Sequence, residues 1–286
     1  MKTNTILIVT GASRGIGRAI AESFITTIAT TASSAYLISR TLNTLIPSST
    51  TSTSLTSITS INADLSSLDT LEATVSSLVS KVQQNISAHK DHHSHVIFVN
   101  NAGSLGSLTP LSDTTLSNLK NSLDFNLTSS CYLSSKFAEL YNNNKSNGSN
   151  GCSNGSPDTK FTMDICNISS LAAVQPFKTW GVYCAGKAAR DMYHRTLALE
   201  FEGDGDFRTL NYAPGPVDTA MQGEIRESEG CDKETKDYFI KAKKTGGLVK
   251  PTDTAMRVVG LLLGGKGAFK SGDHVDFFDK QGDGIE

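Results

Sequence analysis

Tyr183 and Lys187 are the two residues of this chain whose types and spacing first suggest chemistry. The stretch that follows Thr179 has no proline, contains several alanines and carries apolar residues at helical spacing, which predicts a helix. Residues four apart lie on one face of a helix. A cation a few ångströms from a phenol favours the phenolate and lowers the phenol's pKa, so Tyr183 is a candidate proton donor. By itself, such a pair more often decorates a solvated helix face.

Ser170 precedes this helix and is the third candidate. Phe161–Ile168 is a mostly apolar run of strand length, and Ser169 and Ser170 follow it directly. The pattern therefore predicts a strand end and a loop that carry a hydroxyl towards the helix with Tyr183.

The elements at the amino terminus predict a nucleotide site. Residues 5–10 are typical of a buried parallel strand, 11–17 of a glycine-rich turn and 16–28 of an amphipathic helix. Glycines let a pyrophosphate approach the backbone at the helix amino terminus, although such a turn alone is a weak signal. The predicted cofactor residues here are Gly11, Ala12, Ser13, Arg14, Gly15, Ile16 and Gly17.

The end of the second predicted strand, residues 35–39, indicates which dinucleotide would bind. An NAD site would be expected to place Asp or Glu next, whereas this chain has Arg40 followed by Thr41. A cation accommodates a 2′-phosphate, and Arg14 can supply a second charge. A single surface arginine is usually just solvated, but the two together favour NADP(H) over NAD(H).

The spacing of Ser170, Tyr183 and Lys187 resembles the catalytic core of the short-chain dehydrogenase/reductase family. The pattern Thr-Gly-x-x-x-Gly-Ile-Gly at 10–17 also resembles that family. The strings at 100–106 (Asn-Asn-Ala-Gly-Ser-Leu-Gly) and 210–216 (Leu-Asn-Tyr-Ala-Pro-Gly-Pro) resemble those of a member that reduces a side-chain ketone of a pterin. The resemblance spans nearly the whole chain. It implies one doubly wound α/β domain over residues 1–286, Rossmann-type, with a mostly parallel seven-stranded sheet.

The resemblance also assigns roles. Ser170 would hydrogen-bond a substrate carbonyl, Tyr183 would protonate its oxygen, and Lys187 would lower the pKa of Tyr183 and hold the nicotinamide ribose. Asn126, within a helix predicted over residues 112–141, would hold a water that links Lys187 to solvent. Asp64 would accept from the adenine amine, although an Asp after a strand is as often a helix cap. The further implied cofactor contacts are Leu65, Asn101, Ala102, Gly103, Val217, Asp218, Thr219, Ala220, Met221 and Gln222.

The implied substrate contacts are Ser170, Leu171, Tyr183, Gly215 and Asp276. Asp276 stands in the string at 270–280, which resembles members of the family that reduce a side-chain ketone of a pterin, as in tetrahydrobiopterin synthesis. A carboxylate facing a guanidine-like edge makes a charge-assisted contact; the alternative is an ordinary acidic residue at a strand end. Two other functions stay open, a broad-specificity carbonyl or diketone reductase and a non-catalytic NADP(H)-sensing protein.

The composition of the chain argues against several other classes of function. The formal charge of −2 gives no basic footprint for nucleic acid, and no run of residues is long and apolar enough to predict a membrane span. Five scattered cysteines favour free thiols in a reducing compartment, so we expect a cytoplasmic protein. The histidines at 89–95 lack zinc-site spacing and predict a solvated loop, so no metal is expected.

Three segments are expected to be irregular. They are a Ser/Thr-rich crossover at 41–60, a low-complexity loop insertion at 142–158 and a mobile substrate lid at 216–247. The family resemblance further implies a homodimer or homotetramer packed through the helices of Asn126 and Tyr183.

Overall fold

A single parallel sheet of seven strands organises the computed structural model, which describes residues 2–28, 32–41, 55–149 and 161–280. The strand order is β3-β2-β1-β4-β5-β6-β7, and every pairing is parallel. The strands are β1 (Thr3–Thr10), β2 (Ala32–Ser39), β3 (Leu55–Asn62), β4 (His93–Asn100), β5 (Phe161–Ile168), β6 (Phe207–Ala213) and β7 (His274–Asp276). The strand order reverses between β1 and β4, which opens a crevice at the carboxyl ends of the strands.

Helices cover both faces of this sheet. They are α1 (Gly15–Thr27), α2 (Leu68–Ala88), α3 (Leu116–Leu123), α4 (Ser129–Ser149), α5 (Gly181–Glu200), α6 (Ala220–Glu227), α7 (Lys233–Thr245) and α8 (Pro251–Leu263). On one face α1 and α8 pack through Phe24 and Leu262. On the other, Phe137 of α4 stacks on Phe98 of β4 with ring centroids 4.5 Å apart. The predicted α/β fold with a parallel seven-stranded sheet is confirmed.

The strand β4 begins earlier than its apolar core indicated. His93 and His95 belong to β4, and the ring of His95 hydrogen-bonds the Asp164 carboxylate at 2.8 Å. The prediction of a solvated loop over 89–95 was therefore wrong for these two, because pairing with β1 and β5 extends the strand past the apolar residues. Within the described ranges, no cluster of three or more His, Cys, Asp or Glu side chains could hold a metal ion.

The predicted helix over 112–141 is broken into several elements. A 3-10 turn, Leu111–Asp113, precedes α3, and a π turn, Asp124–Thr128, separates α3 from α4. At its other end α4 continues to Ser149, so residues 142–149 of the predicted loop insertion are helical. Asn144 explains this extension, since its side-chain amide exchanges two hydrogen bonds with Gln83 of α2. Residues 150–158 lie outside the described residues.

The predicted lid over 216–247 is largely helical, because α6 and α7 occupy most of it. Phe239 of α7 is buried against Trp180, with ring centroids 6.1 Å apart. Of the predicted crossover at 41–60, the structure describes residue 41 and the start of β3. None of the described helices combines the length and apolar character needed to span a bilayer.

Candidate active site

Ser170, Tyr183 and Lys187 converge at the carboxyl end of β5. Ser170 follows β5 and caps the 3-10 turn Leu171–Ala173, its Oγ accepting from the Ala172 amide at 3.1 Å. The helix α5 begins at Gly181 and carries Tyr183 and Lys187 on its buried face. Lys187 Nζ donates to the Ile168 carbonyl oxygen at 2.7 Å and lies 5.7 Å from the centre of the Tyr183 ring. The three predicted catalytic side chains are thus brought together.

Burial dominates the electrostatics of these groups. It raises the pKa of Tyr183 to about 12, while a hydrogen bond with Ser170 and the charge of Arg190 act in the opposite direction. Burial, assisted by Arg190, also holds the pKa of Lys187 well below its ordinary value. Among the causes that oppose this rise, the cation is Arg190. The expected lowering of the Tyr183 pKa by Lys187 stays a prediction.

Asn126 lies in the π turn between α3 and α4. Its side-chain amide nitrogen donates to the Ser104 carbonyl oxygen at 3.0 Å, and its Oδ1 accepts from the Ser104 amide at 2.9 Å. These two bonds hold the loop after β4 against the turn. Its main-chain carbonyl oxygen, which accepts a bond from Arg190 Nη1 at 3.5 Å, faces the catalytic helix.

The glycine-rich turn is locked to the loop that follows β4. Thr10 Oγ1 accepts from the amides of Asn101 and Ala102 at 2.9 and 3.0 Å, and Asn101 Nδ2 donates to the Thr10 carbonyl oxygen at 2.9 Å. A Cβ on Gly17 would lie 2.4 Å from the Gly11 oxygen, so only glycine fits there. The result is a close-packed backbone cradle at the amino terminus of α1.

The residues expected around the adenosine end follow β1, β2 and β3. Arg14 precedes α1 without a side-chain capping bond, and Arg40 is exposed directly after β2, with Thr41 next. The Asp64 carboxylate accepts from the amide and hydroxyl of Ser66 at 3.0 and 2.6 Å, and these bonds, followed by the charge of Arg40, hold its pKa below the ordinary value. Asp64 therefore caps its own turn while lying near Arg40.

A cavity of about 690 Å³ joins the catalytic groups to the lid. Of the residues predicted from sequence, thirteen line it: Ile16, Asn101, Gly103, Ser170, Leu171, Tyr183, Lys187, Gly215, Val217, Thr219, Met221, Gln222 and Asp276. The others do not form its wall: Gly11, Ala12, Ser13, Arg14, Gly15, Gly17, Arg40, Thr41, Asp64, Leu65, Ala102, Asn126, Asp218 and Ala220. Asp218 instead pairs with Lys243 of α7 at 2.6 Å.

Asp276 ends β7 and faces the cavity that Tyr183 also lines. Its Oδ1 accepts from the Phe278 amide at 2.9 Å, and its own amide donates to Asp279 Oδ2 at 2.6 Å. The described residues give its Oδ2 no bond, so one carboxylate oxygen can face a polar ligand edge while the other fixes its orientation.

Sequence reasoning missed the aromatic walls of the cavity and one buried cation. Phe177 and Trp180 precede α5, Tyr238 and Phe239 lie on α7, and Phe278 follows β7, so no single local pattern in the sequence joins these cavity-lining residues. Arg190, seven residues after Tyr183, is fully buried beside the site. Its helical spacing from Tyr183 was visible in the sequence, but its burial was not.

Comparisons with known proteins place this site in context. A family model described as short chain dehydrogenase matches residues 5–230. Sepiapterin reductase of Xenopus tropicalis is 47% identical over 115 residues, which cover 40% of this chain and 42% of that protein. The (S)-benzoin-forming benzil reductase of Bacillus subtilis strain 168 is 32% identical over 151 residues, covering 52% of this chain and 56% of that protein. The chain thus spans about half the length of the curated relatives that it matches.

Among solved structures, the KRED1-Pglu enzyme superposes with a TM-score of 0.74 at 22% identity, covering 95% of this chain and 100% of that one. At that identity the match establishes the fold alone, and it agrees with the parallel sheet and flanking helices described above.

Proposed function

Because the chain belongs to the short-chain dehydrogenase family, we propose that it is an NADPH-dependent carbonyl reductase whose substrate is a pterin with a ketone in its side chain. The single observation that carries the pterin assignment is the placement of Asp276. Its carboxylate is oriented by the Phe278 amide and lies on the same cavity as Ser170 and Tyr183. Reduction of such a ketone is a step of the kind found in tetrahydrobiopterin synthesis.

The residues present fit NADP(H). The cradle made by the glycine-rich turn and the loop after β4 has no room for side chains at Gly17, which suits close approach of a pyrophosphate. Arg14 and Arg40 are the cations for a 2′-phosphate, and no acidic residue follows β2. At the nicotinamide end, Lys187 would hold the ribose. When bound, NADPH supplies the hydride that the carbonyl carbon receives.

The chain's own groups handle the carbonyl oxygen and its proton. Ser170 donates a hydrogen bond to the carbonyl oxygen and orients it towards Tyr183. Because burial keeps the Tyr183 phenol protonated, the phenol is ready to give its proton as negative charge develops on that oxygen. Lys187, anchored on the Ile168 carbonyl, and Asn126, anchored on Ser104, keep the proton supply to the tyrosine open.

The aromatic lining supports a flat, partly apolar substrate. Trp180 lies between Tyr183 and Phe239, with ring centroids 5.8 and 6.1 Å away. An aromatic bicycle such as a pterin can stack in such a setting while its polar edge meets Asp276.

A second candidate is a broad-specificity reductase of neutral diketones. The benzil reductase relative and the mainly apolar wall favour it, since benzil offers two phenyl rings and no cationic edge. A third candidate is a non-catalytic protein that senses NADP(H). Such a protein would not require Ser170, Tyr183, Lys187 and Asn126 together.

The test is NADPH consumption by the purified protein with sepiapterin and, separately, with benzil, each beside Tyr183→Phe. We expect sepiapterin to have the higher kcat/KM and Tyr183→Phe to be almost inactive with both. Higher efficiency with benzil would move the assignment to the diketone reductase, and NADPH binding without turnover of any carbonyl in a broad panel would favour the sensor.

Neutral replacements of two acidic residues then test the proposed contact between Asp276 and the pterin. Asp276→Asn removes a charge-assisted contact, so kcat/KM for sepiapterin should fall about 10- to 100-fold while that for benzil changes little. Glu234→Gln is the matched control, because Glu234 also lines the cavity but its side chain is 88% exposed. Equal losses with sepiapterin and benzil in Asp276→Asn would contradict the pterin role.

We also propose a homodimer or homotetramer in the cytosol. The exposed apolar side chains Met192 and Leu199 on α5 support packing against a second copy, and the free thiols of Cys131, Cys166, Cys184 and Cys231 suit a reducing compartment. Light scattering of the purified protein would give the number of copies.

A further inference from the structure

Arg190 is the largest side chain that the described part of the chain buries completely. It lies on α5, three residues after Lys187 and seven after Tyr183, so the three side chains share one helix face. Its guanidinium is inserted between the catalytic helix and the carboxyl ends of β4 and β5. None of the sequence-predicted roles includes it.

The guanidinium reaches four oxygen atoms in four segments of the chain. Nη2 donates to the Asn100 carbonyl oxygen at 2.7 Å, and Nη1 donates to those of Ala102 at 3.2 Å and Asn126 at 3.5 Å. Nε donates to Asn167 Oδ1 at 2.8 Å. The Asn100 oxygen ends β4 and the Ala102 oxygen lies in the loop that follows it. The Asn126 oxygen belongs to the π turn, and the Asn167 oxygen belongs to β5, shortly before Ser169 and Ser170.

All four acceptors are neutral. The nearest link to a carboxylate runs through Asn167, whose Nδ2 donates to Asp191 Oδ1 at 2.9 Å. A cation taken out of water without a directly paired anion costs several kcal/mol, and burial holds the pKa of Arg190 below its ordinary value. An apolar side chain of similar volume would avoid that cost, but it could not hold three backbone oxygens at fixed distances.

We propose that Arg190 is a positioning residue of the reaction, whose guanidinium fork holds the end of β4 with its following loop, the Asn126 turn and the end of β5 in register with Tyr183 and Lys187. The role rests on the proposed carbonyl reduction but not on the pterin as substrate. Since a shift of about 1 Å between reacting groups can cost about 100-fold in rate, loss of the fork should slow the chemical step rather than ground-state binding.

A substitution at Gly103 offers a second, independent test of the same clamp, by which we mean the hydrogen bonds from the Arg190 guanidinium to its four acceptors. A Cβ added there would lie 3.0 Å from Asn126 Oδ1 and 3.7 Å from Arg190 Nη1. Gly103→Ala therefore presses on the Asn126 side of the clamp and leaves an ordinary van der Waals contact with Arg190, without removing any charge.

The experiment is single-turnover oxidation of NADPH, followed by stopped-flow fluorescence, with whichever of sepiapterin and benzil the wild-type protein reduces faster. Arg190→Lys keeps the charge and loses the fork, so we expect hydride transfer to slow about 10- to 100-fold while the Kd for NADPH stays within about threefold. Gly103→Ala should slow the transfer in the same way.

Arg208→Lys is the matched control. Arg208 is another shielded arginine, with two bonds of 2.7 and 2.8 Å to Asp164, but it lies near the amino end of β6, whereas the candidate site lies at the carboxyl ends of the strands. Both Arg→Lys variants should lower the melting temperature, and only Arg190→Lys should slow hydride transfer. If Arg190→Lys and Gly103→Ala both transferred hydride at the wild-type rate, the positioning role would be overturned. If Arg190→Lys does not fold, the hydride-transfer rate of Gly103→Ala alone decides whether the role stands. A wild-type protein that binds NADPH but reduces neither substrate would overturn the proposed function, and this role with it.

Discussion

The pH dependence of the proposed carbonyl reduction follows from the burial of Tyr183. The phenol is 7% exposed, and burial raises its pKa from 10.0 to about 12. Two pKa units correspond to about 3 kcal/mol in favour of the protonated form. In the proposed mechanism the protonated phenol gives a proton to the substrate oxygen, so reduction should be fully active below this pKa and be lost as the pH rises through it.

The assay is kcat/KM for the carbonyl substrate at saturating NADPH between pH 6.5 and 10, with the folded state checked at each pH by circular dichroism. We expect no loss on the basic side below about pH 10. Tyr183→Phe should be slower at every pH by about 100- to 10,000-fold, because positioned general acids contribute that much. Its stability should change little, since the lost hydroxyl had one side-chain partner, Ser170.

One result would refute this reasoning. A basic limb with a midpoint near pH 7 or 8, present in the wild-type protein and absent from Tyr183→Phe, would mean that the Tyr183 pKa is lowered towards neutrality. The charge of Lys187 would then lower the Tyr183 pKa, as the sequence alone indicated, by more than burial raises it.

Further expectations concern the cofactor cradle and the core. Gly17→Ala places a methyl group 2.4 Å from a backbone oxygen and should weaken NADPH binding more than tenfold in a fluorescence titration, a loss of at least about 1.4 kcal/mol. The control Gly260→Ala, where nothing lies within 4 Å in mid-helix, should instead stabilise the fold by about 0.5–1 kcal/mol; unchanged NADPH affinity in Gly17→Ala would argue against the cradle. Phe137→Ala should cost about 3–5 kcal/mol in urea unfolding because the ring is fully buried, and a loss under 1 kcal/mol would contradict the packing seen here. Burial also raises the pKa of Tyr141 and Tyr212, so these phenols ionise in the unfolded chain at a lower pH than in the folded one. The free energy of unfolding should therefore fall as the pH rises above about 10, and these two groups should add no pH dependence below it. An unfolding free energy that stays level to pH 11 would exclude this.

The order of the elements and the main candidate site residues could be predicted because their signals are local. Tyr183 and Lys187 share a face through helical periodicity, and Ser170 follows an apolar run of strand length. The glycine-rich turn after β1 is equally local, since its conformation excludes side chains at fixed positions such as Gly17. The predicted ends of β4 and α4 were wrong because residues distant in the sequence extend these elements. Pairing with β5 includes His95 in β4, and the side chain of Gln83 hydrogen-bonds Asn144 in the last part of α4.

The sequence by itself therefore determined the α/β class, the predicted cofactor turn and the candidate triad, all of which depend on residues close together in the chain. Only the tertiary structure decided the environment of those residues. Burial of Tyr183 and the placement of Arg190 among backbone oxygens depend on segments up to 90 residues apart in the chain. The cavity wall likewise combines Trp180, Phe239 and Phe278 from separate elements. Desolvation and enclosure are properties of the packed molecule, so no local pattern in the sequence could specify them.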